Sequence, residues 1–156
     1  MNIYNKHKCI RYLAIVLVII LAIPTNTSAV SDDQWSSRAS NYLTSYSTYI
    51  YNAAFGKVTV YFNVTGVNYM DEIGSLNIKI YESTDKESWS LVKTYSHDSS
   101  SGMLGSNDYY HSGSVSYQGT IGRYYKAYVC IWAGKDGSGD TRFLWTNVVK
   151  ATLLAG

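Results

Sequence analysis

The sequence predicts an all-β protein, folded as a single antiparallel β-sandwich of about seven strands. Short segments in which apolar and polar side chains alternate recur along the chain. Turns rich in Gly, Ser, Asn and Asp separate these segments. No segment after residue 29 has the apolar period of an amphipathic helix. Short strands with regularly spaced turns are typical of antiparallel sandwiches, which is the architecture that we expect.

The strand predicted over residues 124–133 is the centre of this arrangement. One set of alternate side chains is mostly apolar: Tyr125, Ala127, Val129, Ile131 and Ala133. The other set is aromatic and mixed: Tyr124, Lys126, Tyr128, Cys130 and Trp132. Successive side chains on a strand point to opposite faces of the sheet. We therefore expect the first set to face the core and the second to carry a row of rings on the outer face.

The remaining strands are predicted over residues 42–51, 57–65, 76–82, 89–95, 113–118 and 143–152. Gly66 is expected to end the second of these strands, which has the clearest alternation in the chain. Residues 76–95 are expected to form a hairpin around a polar turn at 83–88. The longest irregular stretch is expected at 97–112, and a Gly-rich turn at 134–140.

A shared core follows from the alternation. The side chains predicted to be buried together are Val58, Val60, Phe62, Ile78, Ile80, Tyr125, Val129 and Ile131. The orientation of the last strand is left open by the sequence. Its two alternate sets, Phe143 with Trp145 and Leu144 with Thr146 and Val148, suit a core face equally well.

Residues 1–29 have the three-part pattern of a secretory signal peptide. Lys6, Lys8 and Arg11 precede an apolar run at 13–23, and small residues at 27–29 suit cleavage. An uncleaved anchor is the alternative, but an apolar run this short does not reach the roughly 20 residues that span a bilayer. The sequence therefore predicts a secreted protein whose β-sandwich domain occupies residues 30–156, with no membrane span after cleavage.

Charge and cysteine content limit the kinds of partner and chemistry that we expect for this protein. The whole chain has a formal net charge of +2, but the predicted signal peptide holds three basic and no acidic residues, so the remainder is slightly acidic. A nucleic-acid partner is not expected, because it requires clustered Lys and Arg. Cys130 is the one cysteine after residue 29. We expect it to be a small filler on its strand, although pairing between two chains stays open.

Several segments together resemble known secreted modules. Tyr125-x-Ala127-x-Val129 after Gly119-x-x-Gly122, with the final residues 148–152, resembles the last two strands of a fibronectin type III-like, immunoglobulin-like sandwich. Residues 80–92 are similar to the third strand of such modules and its return. The signal-peptide layout together with residues 70–74, 81–85 and 124–129 also resembles a family of small secreted proteins of Gram-positive bacteria without a characterised function. The resemblance implies a tyrosine-corner position for Tyr125, and it carries over no active site to this sequence.

The outer face of the central strand is the predicted ligand-binding site. Its candidate residues are Tyr81, Tyr124, Tyr128 and Trp132. Lys126 belongs to this face, and Lys79 and Trp145 join it if the neighbouring strands lie alongside. Aromatic side chains offer large apolar area with a polar edge, and exposed patches of this kind mark interaction sites. The alternative is that Tyr and Trp are simply good strand residues.

Metal and cofactor sites are not predicted. Asp136 and Asp140 flank a Gly-rich turn that suggests calcium, but Thr141 occupies the position where the calcium loop requires glycine, so a hairpin turn is favoured. His97 and His111, with Asp98 and Asp108 nearby, have a spacing that matches no established metal motif.

Catalysis is not predicted either. The chain has no nucleophile elbow, no zinc-protease motif and no phosphate-binding glycine loop. Asp71 and Glu72, expected in a short turn, and Glu82 are the carboxylates that an acid–base pair would need. We therefore expect a non-catalytic binding module for a cell-wall or host glycan, or for another extracellular protein. The alternatives are a self-associating surface protein and, less favoured, a small carboxylate-dependent hydrolase.

Overall fold

A computed structural model of the protein describes residues 40–154, so the predicted signal peptide lies outside the described residues. The described part contains seven strands and no helix. The strands are β1 (Leu43–Asn52), β2 (Lys57–Ser83), β3 (Ser90–Ser96), β4 (Leu104–Gln118), β5 (Tyr124–Lys135), β6 (Ser138–Trp145) and β7 (Val149–Lys150). All pairings between them are antiparallel. Within residues 40–154, no helix is long and apolar enough to span a membrane.

Strand β2 runs through the whole sheet and changes partners along its length. Its first half pairs with β1 on one side and β4 on the other. Its second half pairs with β5 on one side and with β3 and the start of β4 on the other. The prediction that Gly66 ends a strand was wrong. The two strands predicted at 57–65 and 76–82 are one strand, in which the pairing with β4 shifts register between Thr65 and Met70.

Gly74 marks a second bend of β2 and shows why a glycine is needed there. Its φ angle is +146°, and an added Cβ atom would lie 2.2 Å from the carbonyl oxygen of Met103. The register with β5 shifts just beyond it, between Ser75 and Asn77. Glycine at such a position marks a bend and a close backbone approach. From the sequence, a glycine, Gly66, was instead expected to end a strand.

Strand β4 corrects the prediction of an irregular stretch at 97–112. Its pairing with β2 extends from Lys57 opposite Gln118 to Gly74 opposite Leu104. The segment is rich in Ser, Tyr and Asn and has weak alternation, so local sequence did not identify it. Its strand conformation comes from the long edge that β2 offers as a partner, a tertiary effect that outweighs local propensity.

The hairpin between β5 and β6 differs from the prediction made for the last part of the chain. Asp136 and Gly137 both have positive φ, 53° and 75°, as a two-residue type I′ turn requires. The turn is thus shorter than predicted, and the strand predicted at 143–152 is replaced by β6 and the short β7. Phe143 and Trp145 point outward and are about half exposed. Leu144 packs against the core and Thr146 is buried, so this part of the alternate set faces inward, whereas Val148 is 43% exposed.

The predicted core is confirmed. All eight residues expected to be buried together are at most 1% exposed and belong to one apolar cluster. Ile73 and Met103, which the sequence did not single out, belong to the same cluster. The predicted hairpin at 76–95 is also confirmed by the pairing of β2 with β3. The core therefore lies on the inner face of a single sheet, and both halves of β2 contribute side chains to it.

The sheet curls so that side chains bridge its two outer edges. The Asn147 side chain accepts a hydrogen bond from the Ile50 amide at 3.0 Å and donates one to the Ile50 carbonyl at 2.9 Å. The Asp140 carboxylate accepts hydrogen bonds from the backbone amides of Asn41 and Tyr42 at 3.0 and 3.3 Å. Edge strands invite pairing with other chains, and these contacts occupy part of the free edge of β1. The architecture is one curled antiparallel sheet of seven strands.

Tyr125 fastens the turn that leads into β5. Its hydroxyl accepts a hydrogen bond from the Thr120 amide at 2.7 Å and donates one to the Glu82 carboxylate. Burial, followed by the hydrogen bond to Glu82, raises the pKa of Tyr125 to about 12. The first of these bonds, with Thr120, joins the side chain to the backbone five residues upstream in the chain.

Candidate ligand-binding surface

The outer faces of β2, β5 and β6 join into one surface at the Tyr124 end of β5. Tyr81 lies opposite Lys126, and Tyr128 lies opposite Trp145. Directly opposed residues in antiparallel strands share a face of the sheet. Lys79 also lies opposite Tyr128, as expected for strands that lie alongside. We name this surface the aromatic–lysine face and define it by Lys79, Tyr81, Lys86, Trp89, Tyr124, Lys126, Tyr128, Phe143, Trp145 and Lys150.

A ladder of rings and one ammonium group crosses this face. The Lys126 Nζ atom lies 4.3 Å from the ring centroid of Trp89 and 4.4 Å from that of Trp145. The Trp145 ring lies 4.8 Å from Tyr128, whose ring is stacked on Phe143 at 5.6 Å with an interplanar angle of 8°. Cation–π contacts and ring pairs each add modest stabilisation. Together they hold the side chains of the ladder against one another.

Two further lysines surround the neighbouring ring of Tyr124. The Nζ atoms of Lys86 and Lys150 lie 4.6 and 5.5 Å from its centroid. Lys86 comes from the turn between β2 and β3, where Asp85 accepts hydrogen bonds from the amides of Glu87 and Ser88. These bonds lower the pKa of Asp85 and hold the turn in place. Three ammonium groups thus gather around the rings at one end of the sheet.

These ammonium groups have no carboxylate partner among residues 40–154. The ion pair that joins His97 to Asp98 at 3.4 Å involves none of these lysines. The nearby Glu82 carboxylate is bonded to the Tyr125 phenol. A lysine held over a ring keeps its N–H donors available for an anion. The surface can therefore offer fixed positive charge beside apolar rings.

The structure brings together three of the four predicted site residues. Tyr81, Tyr124 and Tyr128 belong to the aromatic–lysine face, and Tyr81 packs on Trp145 at 5.3 Å. Trp132 lies apart, at the other end of β5, opposite Gly74 and Thr141. No ring contact connects it to the ladder among the described residues. Sequence spacing placed it on the same outer face but could not show that the ladder ends at Phe143.

Trp132 instead borders a separate cleft of about 430 Å³, the Trp132 cleft. Asp71, Glu72, Ser106, Trp132, Gly134, Lys135, Gly137 and Ser138 line it. The Trp132 ring lies against Gly134 and Gly139, since a Cβ atom on either would approach it to 2.5 or 2.4 Å. Its indole nitrogen is buried without a hydrogen-bond partner in the described part of the chain.

The carboxylates considered for acid–base chemistry do not gather at one point. Asp71 and Glu72 lie within β2 and not in the turn that was expected. Asp71 accepts a hydrogen bond from the Asp136 amide at 2.7 Å. Glu82 is ten residues further along the same strand, about 30 Å for an extended chain, and is engaged by Tyr125.

The candidate metal residues are likewise held by other contacts. His111 contacts the Gly102 carbonyl at 3.0 Å and packs beside Phe62, whereas His97 pairs with Asp98. The hydroxyl of Ser40 and the amide of Tyr42 lower the pKa of Asp140 by hydrogen bonding. Among residues 40–154, no three His, Cys, Asp or Glu side chains are placed to share a metal ion.

Cys130 is buried beneath this surface. It is 3% exposed and forms no disulfide. Burial raises the pKa of its thiol, although the charge of Lys79 acts in the opposite direction. A buried thiol with a raised pKa is a poor nucleophile, in agreement with the expected role as a small filler.

Sequence reasoning missed Trp89, Phe143, Lys86 and Lys150 as members of the face. For Phe143, a local signal was present. The Asp136-Gly137 pair is a strong hairpin signal, and a two-residue turn there fixes Cys130 opposite Phe143. No comparable signal exists for Lys86 and Lys150, because a turn and a two-residue strand bring them to Tyr124.

The outer face of the other half of the sheet has different chemistry. We name it the hydroxyl face and define it by Ser45, Ser47, Tyr49, Tyr51, Thr59, Tyr61, Asn63, Thr65, Tyr110, Ser112, Ser114 and Ser116, which oppose one another across β1, β2 and β4. None of these side chains has a formal charge at neutral pH. Hydrogen bonds join Asn63 to Ser47 and Thr59 to Ser116, both at 2.9 Å.

Comparison with known proteins adds little to this geometry. No protein-family model matches the chain, and no curated protein matches it. One similar solved structure is the crystal structure of Spo0M, a sporulation control protein from Bacillus subtilis. It is 8% identical, with a TM-score of 0.39, over 67% of this chain and 48% of that chain. The match spans about half the length of Spo0M and carries no argument about this chain.

Proposed function

We propose that this protein is an exported, non-catalytic binding module whose aromatic–lysine face binds a glycan of a cell surface. The observation that carries the proposal is the ladder formed by Trp89, Lys126, Trp145, Tyr128 and Phe143. Two of its large side chains, Phe143 and Trp145, are 52% and 51% exposed. Neighbouring exposed rings favour an interaction site over a purely structural role.

The ladder is suited to binding because its side chains are already ordered. Each ring is held by its neighbours, so a ligand does not have to immobilise it on binding. Phe143 ends the ladder, and among the described residues no further ring contacts it. An exposed ring face at such an end is a platform on which the apolar face of a sugar can pack.

Export and the finer fold class are parts of the same proposal. Export is supported by the signal-peptide pattern of residues 1–29. A fibronectin type III-like, immunoglobulin-like sandwich is supported by the single core under both halves of β2 and by the bond between Tyr125 and the Thr120 amide. A sandwich has two packed sheets, so in this fold class the long strand β2 would have to contribute its first half to one sheet and its second half to the other.

Self-association is the second candidate, and the position of β6 favours it. Phe143 and Trp145 lie on this strand, which pairs with β5 alone among the described strands. An exposed edge strand with apolar side chains can pair with a copy of itself. A mass that rises with protein concentration would favour this candidate, and a constant monomer mass would exclude it.

A retention experiment tests the binding proposal. The protein, expressed from its full coding sequence, is mixed with insoluble cell walls and a panel of polysaccharides, and the retained fraction is measured. Trp145→Ala and Tyr128→Ala are expected to abolish retention, because each removes a ring from the ladder. Tyr49→Ala is the matched control, since it removes a similarly exposed ring from the hydroxyl face.

A fourth variant separates the two candidate surfaces. Trp132→Ala should leave retention unchanged if the ligand lies on the ladder. Retention lost in Trp132→Ala and kept in Trp145→Ala would place the ligand in the Trp132 cleft and refute the proposed surface. No retention of the wild type by any wall or polysaccharide would refute glycan binding itself.

A further inference from the structure

We infer that the ligand of the aromatic–lysine face is an anionic glycan, with repeated phosphate, sulfate or carboxylate groups that the ammonium groups of Lys86, Lys126 and Lys150 receive. This inference rests on the proposed function and specifies its ligand class. The rings alone would accept any sugar with an apolar face. Because lysines lie between the rings, we expect the preferred ligand to be negatively charged.

Placement of charge supports this class of ligand. Residues 40–154 hold equal numbers of basic and acidic side chains, so positive charge is not a general property of this part of the chain. Three ammonium groups nevertheless gather around Tyr124, Trp89 and Trp145. At the opposite end of β5, the Trp132 cleft is lined by Asp71 and Glu72 as well as by Lys135, so positive charge is not concentrated there. An anionic polymer would be attracted more strongly to the end that carries Lys86, Lys126 and Lys150.

The nearby carboxylates leave these lysines available. Asp85 is used by the amides of its own turn, and Glu82 is used by the Tyr125 phenol. Neither forms an ion pair with the lysines among the described residues. Lys126 is also positioned in advance, because its ammonium group lies between two indole rings. An incoming anion therefore gains charge-assisted hydrogen bonds without displacing a protein partner.

A nucleic acid, which is also a polyanion, fits less well. Single-stranded nucleic acids bind to successive rings with open faces. Here Phe143 stacks on Tyr128, and the Lys126 ammonium group lies over Trp145, so few successive ring faces are open to bases. A glycan needs one terminal ring face and anchored charges, and the face provides both.

Two polymers with the same backbone test the inference: dextran and dextran sulfate. At about 50 mM salt, we expect the wild-type protein to bind dextran sulfate at least about tenfold more tightly than dextran. At about 500 mM salt this preference should largely disappear, because salt screens exposed charges. The triple variant Lys86→Gln/Lys126→Gln/Lys150→Gln should lose the preference and keep the weaker binding of dextran.

The matched control removes the same charge elsewhere. Lys57→Gln/Lys93→Gln/Lys135→Gln changes the net charge equally but leaves the ladder intact, and it should keep the preference. Thermal unfolding of both triple variants verifies that they fold. If the control loses as much affinity as the first triple variant, binding depends on net charge alone and the inference is wrong.

Two other outcomes separate this inference from the proposed function. Equal binding of dextran and dextran sulfate would overturn the anionic ligand and leave glycan binding in place. Binding of no polysaccharide would overturn both. Wall teichoic acid and heparin distinguish bacterial phosphate polymers from host sulfated ones, and tight binding of either supports the inference. Tighter binding of single-stranded DNA than of every glycan would contradict it.

Discussion

Strand β2 carries two outer surfaces that share one core but differ in chemistry. Along its first half, the hydroxyl face has Tyr, Ser, Thr and Asn side chains and no charge. Along its second half, the aromatic–lysine face combines large rings with ammonium groups. Valine, isoleucine and phenylalanine fill the inner side of both halves.

This difference shows which features the fold requires. The inner pattern is the same in both halves because burial of alternate apolar side chains stabilises any strand of this sheet. The outer side chains contribute less to folding, so their composition is freer to serve another purpose. The hydroxyl face is held by neutral side chains, through hydroxyl hydrogen bonds and through tyrosine ring contacts such as that of Tyr49 with Tyr61. The ammonium groups are therefore what distinguishes the aromatic–lysine face, and they are the feature for which we propose a function.

The largest expected effect tests whether the two halves depend on one core. Phe62 lies under the hydroxyl face and is fully buried. Phe62→Ala should lower the free energy of unfolding by about 3–5 kcal/mol. Urea unfolding followed by tryptophan fluorescence measures it, with Trp89 and Trp145 reporting from the other half. A loss in the free energy of unfolding below about 1 kcal/mol would mean that the halves unfold separately. Unfolding that the fluorescence of these tryptophans does not report would mean the same.

The second prediction contrasts one phenol from each half. Hydrogen bonds from Ser112 and Tyr110 lower the pKa of Tyr61 below its ordinary value, whereas burial raises the pKa of Tyr125 to about 12. Tyr61 should therefore ionise before Tyr125. The raised pKa of Tyr125 contributes stability that is complete below pH 10 and is lost as the pH rises through about 12, up to about 2–3 kcal/mol.

Tyrosine ring signals in an NMR titration measure this order. Tyr61→Phe and Tyr125→Phe assign the two signals, and each also removes its own contribution to the pH dependence of stability. Ionisation of Tyr125 before Tyr61 would contradict the hydrogen bonding described for both halves.

A smaller effect is expected where the two edges of the sheet meet. Asn147→Ala removes both hydrogen bonds to the Ile50 backbone. The free energy of unfolding should fall by about 1–2 kcal/mol, and the exposed β1 edge should increase aggregation. Val148→Ala, a neighbouring exposed substitution, is the control for chemical denaturation and light scattering. Equal behaviour of the two variants would show that the bridge does not stabilise the curl.

The smallest effect concerns the ladder itself. A double-mutant cycle with Lys126→Met and Trp145→Ala should give a coupling energy of about 0.5–1 kcal/mol, because the ammonium group lies over the indole ring. The matched cycle on the hydroxyl face pairs Tyr49→Ala with Tyr61→Ala, whose rings lie 5.1 Å apart. Zero coupling in the first cycle would mean that the ladder does not hold Lys126 in place.

Sequence patterns predicted the core well because burial follows alternation. Val58, Val60 and Phe62 alternate with polar residues, and all three are buried. Patterns failed where distant pairing decided the structure. Gly66 was expected to end a strand that continues to Ser83, and residues 104–112 formed a strand because β2 provided a partner.

The candidate site was predictable to a similar extent. Alternation along β5 placed Tyr124 and Tyr128 on the outer face together. Separating Trp132 from them required knowledge of which rings make contact, and local spacing does not contain that information. Lys150 reaches Tyr124 through β7, a strand of two residues that no periodic pattern reveals.

The most direct test of the aromatic–lysine face uses the indole N–H signals of the protein in an NMR titration with the polysaccharide that the panel retains best. Trp89→Phe, Trp145→Phe and Trp132→Phe assign three of these signals. We predict that the Trp89 and Trp145 signals shift as ligand is added and that the Trp132 signal does not. A shift of Trp132 with the other two unchanged would place the ligand in the Trp132 cleft and contradict the account.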